Sequence, residues 1–416
     1  MYNTHQKFDT TIRPCRPAWF MKVIEFVVVN VYYKPKGMVI RKHGMEGLKP
    51  PYIILSSHGS LVDFPIVMKA VFPYASTWLA SIEEFIHREY LMRKAGVTYK
   101  RKFTADTTVV RHLFHIIKRN KDILTIYPEA RFSFVGINEP IDDALGEFVK
   151  RCGCPVIVNI NHGNYLRSPQ WGKSPERKVR TESDFYCLFD AEQVKNATAD
   201  EIQKRIEETF VYDEYAWQRD NKIKIKCKQR ARGIHRVLYK CPECGTESEM
   251  ASDGAELWCK HCGAKWHMDE YGVMHGVGHE TRFSHIPDWY RWERAEVADE
   301  IASGNYHYSE NAEIGILASS AKGVVRCGKG VLTHDYDGFK FVGEVDGEPF
   351  ELERKPQSMM SCHIEYNLKK TGPCVELCNL NDTYFVYPES GDKKLTRLHF
   401  ACIEMHEYAK KTKQAE

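Results

Sequence analysis

The stretch Tyr52-Ile53-Ile54-Leu55-Ser56-Ser57-His58-Gly59-Ser60-Leu61-Val62-Asp63 passes from an apolar run into a polar turn. The apolar run reads as a buried strand near 52–57, and a helix is expected over 61–72. His58 and Asp63 then sit in a loop at the carboxyl end of a strand, where α/β folds place site residues. Imidazole titrates near neutral pH, so a small shift makes it a competent base. A carboxylate on its other nitrogen fixes the tautomer and stabilises the imidazolium that forms when a proton is taken. No Gly-x-Ser-x-Gly nucleophile motif lies nearby, so the pair points to activation of a substrate hydroxyl. The plainer alternative is an aspartate that caps a helix beside an unrelated histidine, and spacing alone does not separate the two.

Downstream, Asp122-Ile123-Leu124-Thr125-Ile126-Tyr127 reads as another strand and ends in Pro128-Glu129-Ala130-Arg131-Phe132-Ser133. An acid and a guanidinium two residues apart form either a surface ion pair or a phosphate grip. The second reading follows because guanidinium offers a planar fork of donors matched to phosphate oxygens.

Together these residues resemble the glycerolipid acyltransferase family, the 1-acylglycerol-3-phosphate (lysophosphatidic acid) acyltransferases. The family's first block is a histidine and an aspartate separated by four residues, with a serine two after the histidine; His58, Ser60 and Asp63 match. Its second block is a glycine-led strand ending in a phosphate-binding arginine. Ala95-Gly96-Val97-Thr98-Tyr99-Lys100-Arg101 fits, with Lys100 where an acidic residue usually stands. The third block is normally Phe-Pro-Glu-Gly-Thr-Arg-Ser. Pro128, Glu129 and Ser133 match, Ala130 replaces the glycine, and the arginine moves one position to Arg131 with Phe132 in its usual place. The fourth, a Pro-Val-rich strand, is met by Gly153-Cys154-Pro155-Val156-Ile157-Val158.

The resemblance covers residues 20–195. It implies an α/β, mixed-sheet acyltransferase domain in which His58 is the general base and Asp63 its partner. It also implies that Arg101 and Arg131 hold the acceptor's phosphate, with Ser60, Glu129 and Ser133 at the same substrate site. The co-substrate is an acyl thioester, on coenzyme A or acyl carrier protein. The acceptor is a lysophospholipid or glycerol phosphate.

At 416 residues the chain exceeds what one core usually fills, so two or three domains are expected. Hydrophobic content of 43% and charged content of 28% are ordinary for a folded soluble protein. A net charge of +3 gives no argument for nucleic acid. Most of the 14 cysteines are scattered singly and four are in paired metal-type spacing, which suits a reducing compartment. No signal peptide is read in the first 16 residues, which are polar and lack an apolar core.

Ala18 to Tyr33 is the membrane candidate, but Lys22, Glu25 and Asn30 interrupt it. It also falls short of the roughly 20 apolar residues a span needs. We expect an interfacial helix with Arg16, Lys22, Lys34 and Lys36 toward anionic lipid, hence a cytoplasmic protein peripheral on the inner face of the membrane. A helix packed on the catalytic domain is the alternative.

Cys241-Pro242-Glu243-Cys244 and Cys259-Lys260-His261-Cys262 stand fourteen residues apart. Two such knuckles can bring four thiolates to tetrahedral Zn2+. Cys241, Cys244, Cys259 and Cys262 fill the coordination, so the site is expected to be structural, in a small zinc ribbon. Gly245 and Gly263 suit the turn each knuckle needs. Before it, Lys222, Lys224, Lys226 and Lys228 alternate with Ile223, Ile225 and Cys227, the pattern of a strand with one charged face. Such a face meets lipid, nucleic acid or plain solvent. Without RNP-type or helix-turn-helix signatures, nucleic acid is not expected.

Further strands are expected near 97–100, 122–127, 155–160 and 184–190, and helices near 18–32, 82–94, 105–119 and 200–218. The segment 163–183, with Trp171, reads as a loop or hairpin, either plainly exposed or flanking the substrate entrance. Trp289, Tyr290 and Trp292 are expected to pack on a neighbouring domain. From Ala312 the chain shows short strands and a closing helix presenting Leu395, Leu398, Cys402 and Met405, the outline of a pleckstrin-homology-like barrel. The segments are then the interfacial helix (1–36), the acyltransferase domain (37–220), the basic strand and zinc ribbon (221–275), a connector (276–311) and a β-rich C-terminal domain (312–416). The functional expectation is O-acyl transfer in phospholipid synthesis. Its rival is a catalytically inactive acyltransferase-like zinc-ribbon adaptor that binds lipid, protein or nucleic acid.

Overall fold

The computed structural model describes residues 8–32, 38–172, 176–367 and 371–415. Tyr33, Lys34 and Lys36 of the expected interfacial helix lie outside the described residues.

Among the described residues the first sheet comprises β1 (Val39–His43), β2 (Tyr52–Ser56), β3 (Ser76–Ser81), β4 (Thr98–Lys100), β5 (Ile123–Ile126), β6 (Val156–His162) and β7 (Glu182–Phe189). Their order is β1-β7-β6-β2-β5-β3-β4, parallel except for the antiparallel β6–β7 pair, so the sheet is mixed. β2 lies at its centre and is buried throughout, as a continuous apolar run requires when both faces are covered. Ile53 and Leu55 pack against the helices Thr107–His115, Leu145–Cys152 and Ala199–Phe210. Ile54 faces the other way, onto Ile66 and Val67 of the helix Asp63–Val71 and onto Phe385 and Tyr387 of the C-terminal region. β5 pairs directly with β2, so the loops that follow the two strands meet.

Several elements differ from expectation. β1 and β3 carry Arg41, Lys42, Ser76 and Thr77, and their mixed polarity hides them from an apolar-run reading. The helix expected over 82–94 divides into a turn, Ile82–Phe85, and a helix, Glu89–Lys94, because His87 takes a left-handed φ of 60°. Likewise 200–218 is two helices, Ala199–Phe210 and Glu214–Asp220, the second started by Asp213, whose carboxylate accepts the Ala216 N–H at 2.9 Å. Trp171 is a core residue, fully buried, and flanks no entrance.

The second sheet holds β8 (Met250–Asp253), β9 (Glu256–Cys259), β10 (Lys265–Met268) and β11 (Met274–Gly276), antiparallel in the order β11-β10-β9-β8. The lysine-alternating segment 222–228 forms no strand. Ile225 N–H bonds to Glu270 O and Cys227 N–H turns back to Ile225 O, which breaks the pleat, although Ile223 and Ile225 are buried as the alternation implies.

The third sheet is β12 (Tyr308–Ser319), β13 (Gly323–Asp335), β14 (Gly338–Val345), β15 (Glu348–Arg354), β16 (His363–Glu365), β17 (Cys374–Cys378) and β18 (Thr383–Pro388). It is antiparallel in the order β15-β14-β13-β12-β18-β17-β16. β13 and β14 approach so closely at Gly328 that a Cβ there would fall 1.8 Å from Glu344 O. Glycine in both strands (Gly330, Gly343) permits this approach. The helix Leu395–Ala415 closes the chain against the helix Ile286–Ala302, with Leu395, Leu398, Cys402 and Met405 buried. Trp289 and Tyr290 pack inward from Ile286–Ala302, into a core shared by the second and third sheets. No helix of the described residues is long and apolar enough to cross a membrane.

Candidate active site

β2 delivers His58 to the loop that precedes the helix Asp63–Val71. The Asp63 carboxylate turns back onto that loop and does not cap the helix. Its Oδ2 accepts the N–H of Gly59 at 2.8 Å and of Ser60 at 3.0 Å, and the Nδ1–H of His58 at 3.0 Å. Its Oδ1 accepts Asn164 Nδ2 at 2.5 Å. Asp63 is fully buried, and four donors offset the cost of holding a carboxylate there. The imidazole stacks on Tyr127 with centroids 3.9 Å apart, touches Phe132 at 4.1 Å, and meets the edge of Phe64 at 5.6 Å. With Nδ1 engaged and rotation blocked by aromatic rings, Nε2 is left to the cleft that His58 lines.

Glu129 and Ser133 come to the same place from the loop after β5. Glu129 accepts the Glu139 N–H at 2.7 Å and, weakly, the His58 N–H at 3.4 Å. Burial pushes its carboxyl up to about 8. Ser133 N–H bonds to His58 O at 2.9 Å, and its hydroxyl donates to Ile137 O at 2.6 Å. Ser60 Oγ is buried with no hydrogen-bond partner among the described residues. Glu129 and Ser133 thus hold the backbone of His58 from both its N–H and its carbonyl. Ala130 between them holds φ at 56°, a left-handed conformation that glycine adopts freely.

The cleft measures about 480 Å³. Leu61, Phe64, Tyr127 and Phe132 line the end beside His58, and Lys100 and Lys102 stand along its wall. The opposite side comes from the C-terminal region, including Met360, His363, Ile403 and His406.

Of the two arginines expected to hold the acceptor's phosphate, Arg101 lies outside the lining of this cleft, and Arg131 is part of the lining but its side chain is fully buried. Successive side chains past β4 point to opposite sides, so Lys100 and Lys102 face the cleft while Arg101 is buried and donates to Leu380 O at 3.1 Å. Arg131 is wholly buried against the C-terminal region, donating to Ser361 Oγ at 2.6 Å, to Cys362 O at 3.3 Å and to a ring nitrogen of His399 at 2.8 Å. Alternation along the strand offered a signal for Lys100 and Lys102. Nothing in the local sequence marked Asn164.

Remote from the cleft, Cys241, Cys244, Cys259 and Cys262 gather with all four sulfurs within 4.8 Å of one another. The Cys241–Cys262 and Cys244–Cys259 separations are 3.7 and 3.8 Å. Tetrahedral ligands at about 2.3 Å from an ion stand about 3.8 Å apart, the Zn–thiolate case. Each knuckle closes by a bond from glycine N–H to the first cysteine's carbonyl, 2.9 Å at Gly245 and 3.0 Å at Gly263, both glycines left-handed. The donor set and its spacing fit a closed, four-sulfur metal centre.

No family model matches the sequence, and comparison with curated proteins gives no match. Among solved structures, the chain is similar to the 1-acyl-sn-glycerophosphate (LPA) acyltransferase PlsC from Thermotoga maritima. The likeness covers 46% of this chain and 77% of that one, at 15% identity and a TM-score of 0.37.

Proposed function

We propose that the protein moves a fatty acyl group from a thioester of coenzyme A or acyl carrier protein to a hydroxyl of lysophosphatidate or a related glycerol phosphate. The observation that carries this reading is the His58–Asp63 pair: one ring nitrogen is fixed by a saturated carboxylate and the other faces a cleft walled by lysines. His58 Nε2 takes the proton of the acceptor hydroxyl while Asp63 stabilises the imidazolium. The alkoxide attacks the thioester carbonyl, and backbone N–H groups at the strand ends steady the oxyanion. Collapse expels the thiolate, which recovers the proton from His58.

Lys100 makes no ion pair among the described residues, whereas Lys102 is held by Glu83 at 2.5 Å and Glu376 at 3.3 Å. The acceptor's phosphate therefore falls to Lys100 in place of Arg101 and Arg131. Glu129 and Ser133 act by holding the backbone of His58. Cys241, Cys244, Cys259 and Cys262 hold a structural Zn2+ that takes no part in the transfer. The exposed apolar face of the helix Trp19–Val27 seats the protein on the cytoplasmic membrane surface.

The sequestered arginines favour a second reading, a retired acyltransferase-like adaptor. Incubation with lysophosphatidate and radiolabelled acyl thioester in detergent decides between them. Labelled diacyl product that disappears in His58→Ala, with fold and zinc content intact, supports transfer. Failure across phosphorylated acceptors supports the adaptor.

A further inference from the structure

We propose that Glu83, His363 and Glu376 form a second metal site, for a divalent ion of the manganese or zinc type, that ties the first sheet to the third at the wall of the cleft. The site draws on geometry alone and stands apart from the acyltransferase reading. Glu83 comes from the turn that follows β3, while His363 on β16 and Glu376 on β17 are directly paired across the strands. A ring nitrogen of His363 and one carboxylate oxygen from each glutamate lie within 4.8 Å of one another, and all three residues are buried. Ligands about 2.1 Å from an ion need slightly closer approach, within reach of small side-chain rotations.

His363 is the observation that points to a ligand. Its side chain is 3% exposed, and Nε2 donates to Glu365 Oε1 at 2.8 Å. That bond leaves Nδ1 as a bare lone pair, and Nδ1 is buried with no hydrogen-bond partner among the described residues. A carboxylate on the far nitrogen is the arrangement that orients metal-bound histidines. Charge points the same way. Three carboxylates, Glu83, Glu365 and Glu376, converge where Lys102 is the ammonium seated between them. A divalent ion would neutralise them more fully and release Lys102 into the cleft beside Lys100. Two carboxylates and an imidazole suit Mn2+, which the all-thiolate cysteine cluster does not.

The test is Mn2+ titration of the full chain, its cysteine cluster preloaded with zinc, with free Mn2+ followed by electron paramagnetic resonance. One Mn2+ per chain is expected. Glu376→Gln and His363→Gln should each weaken binding at least tenfold, and Lys102→Met should tighten it severalfold by removing the competing cation. If either ligand variant fails to fold, Glu365→Gln should still weaken binding through the freed His363 ring. The absence of a Mn2+ equivalent in both the native chain and Lys102→Met overturns the site, as does binding indifferent to the His363 and Glu365 substitutions.

Discussion

The aspartate that holds His58 is itself held by Asn164, the first residue of the short helix Asn164–Arg167 that follows β6, at 2.5 Å. Asn164→Ala leaves an oxygen of a buried carboxylate without its donor. We expect a 10- to 100-fold fall in turnover with little change in KM, on the order of 1.4–2.7 kcal/mol of transition-state stabilisation. Asp63→Asn should cost more, about 10⁴-fold, because an amide there can hold the wrong tautomer. Lys100 and Arg101 separate the two assignments of the phosphate grip. Lys100→Met should raise KM for a phosphorylated acceptor about tenfold, whereas Arg101→Met should lower the melting temperature and spare KM. Glu129 and Glu214 are both pushed up by burial to about 8, from an ordinary 4.5. Between those values the folded chain keeps protons that the unfolded chain has released, so stability falls as pH rises from about 5 to 8. Glu214→Gln should remove about half of that decline in a thermal-melt series. At this scale the His58–Asp63 pairing was legible because spacing and chain direction are local. The fate of the arginines was not: Arg101 answers to Leu380, and Arg131 to Ser361, Cys362 and His399, partners more than 200 positions away.

Among elements, the helix Trp19–Val27 exposes Trp19 (79%), Val23 (56%), Phe26 (48%) and Val27 (47%), and Phe72 lies 5.8 Å from the ring of Phe26. Such a contiguous apolar patch marks an interaction surface. Trp19→Ser with Phe26→Ser should reduce co-sedimentation with anionic vesicles by at least fivefold and leave detergent activity unchanged. The helix was legible as an apolar run broken by Lys22 and Glu25, and the knuckles as paired cysteines with glycine turns. Both are patterns within a dozen residues. The lysine-alternating segment misled because period-2 burial does not require a ladder: Ile223 and Ile225 bury themselves without a neighbouring strand to pair with. The length of β13 was not legible, since Gly328 and Gly330 interrupt the β-branched pattern at the points where β14 comes closest.

Across the whole molecule, one buried cluster runs from Phe134, Tyr165 and Trp171 beside the first sheet, through Leu257, Trp266 and Trp289, to Ile314, Val386 and Met405 of the third sheet. A second cluster joins Ile54 and Trp78 to Phe385 and Tyr387. Segment boundaries inferred from composition shifts say nothing about such sharing, because apolar residues at a shared face look like any other core residue. The cleft inherits the same construction, with His58 on one wall and Met360, His363 and Ile403 on the other. Units that share buried surface unfold together, since parting them exposes apolar area on both at about 25 cal/mol per Å². Calorimetry of the full chain should therefore show one cooperative transition in place of separate melts. Chelation of the cysteine cluster should lower that single midpoint and not release a ribbon-sized fraction, because Cys241 and Cys259 sit in the same core as Trp266 and Trp289. A chain cut after residue 305 should expose the faces of Ile54 and Phe134 and lose soluble expression along with activity. A stable, active fragment of that length would show that the third sheet is an appendage and not a wall of the site.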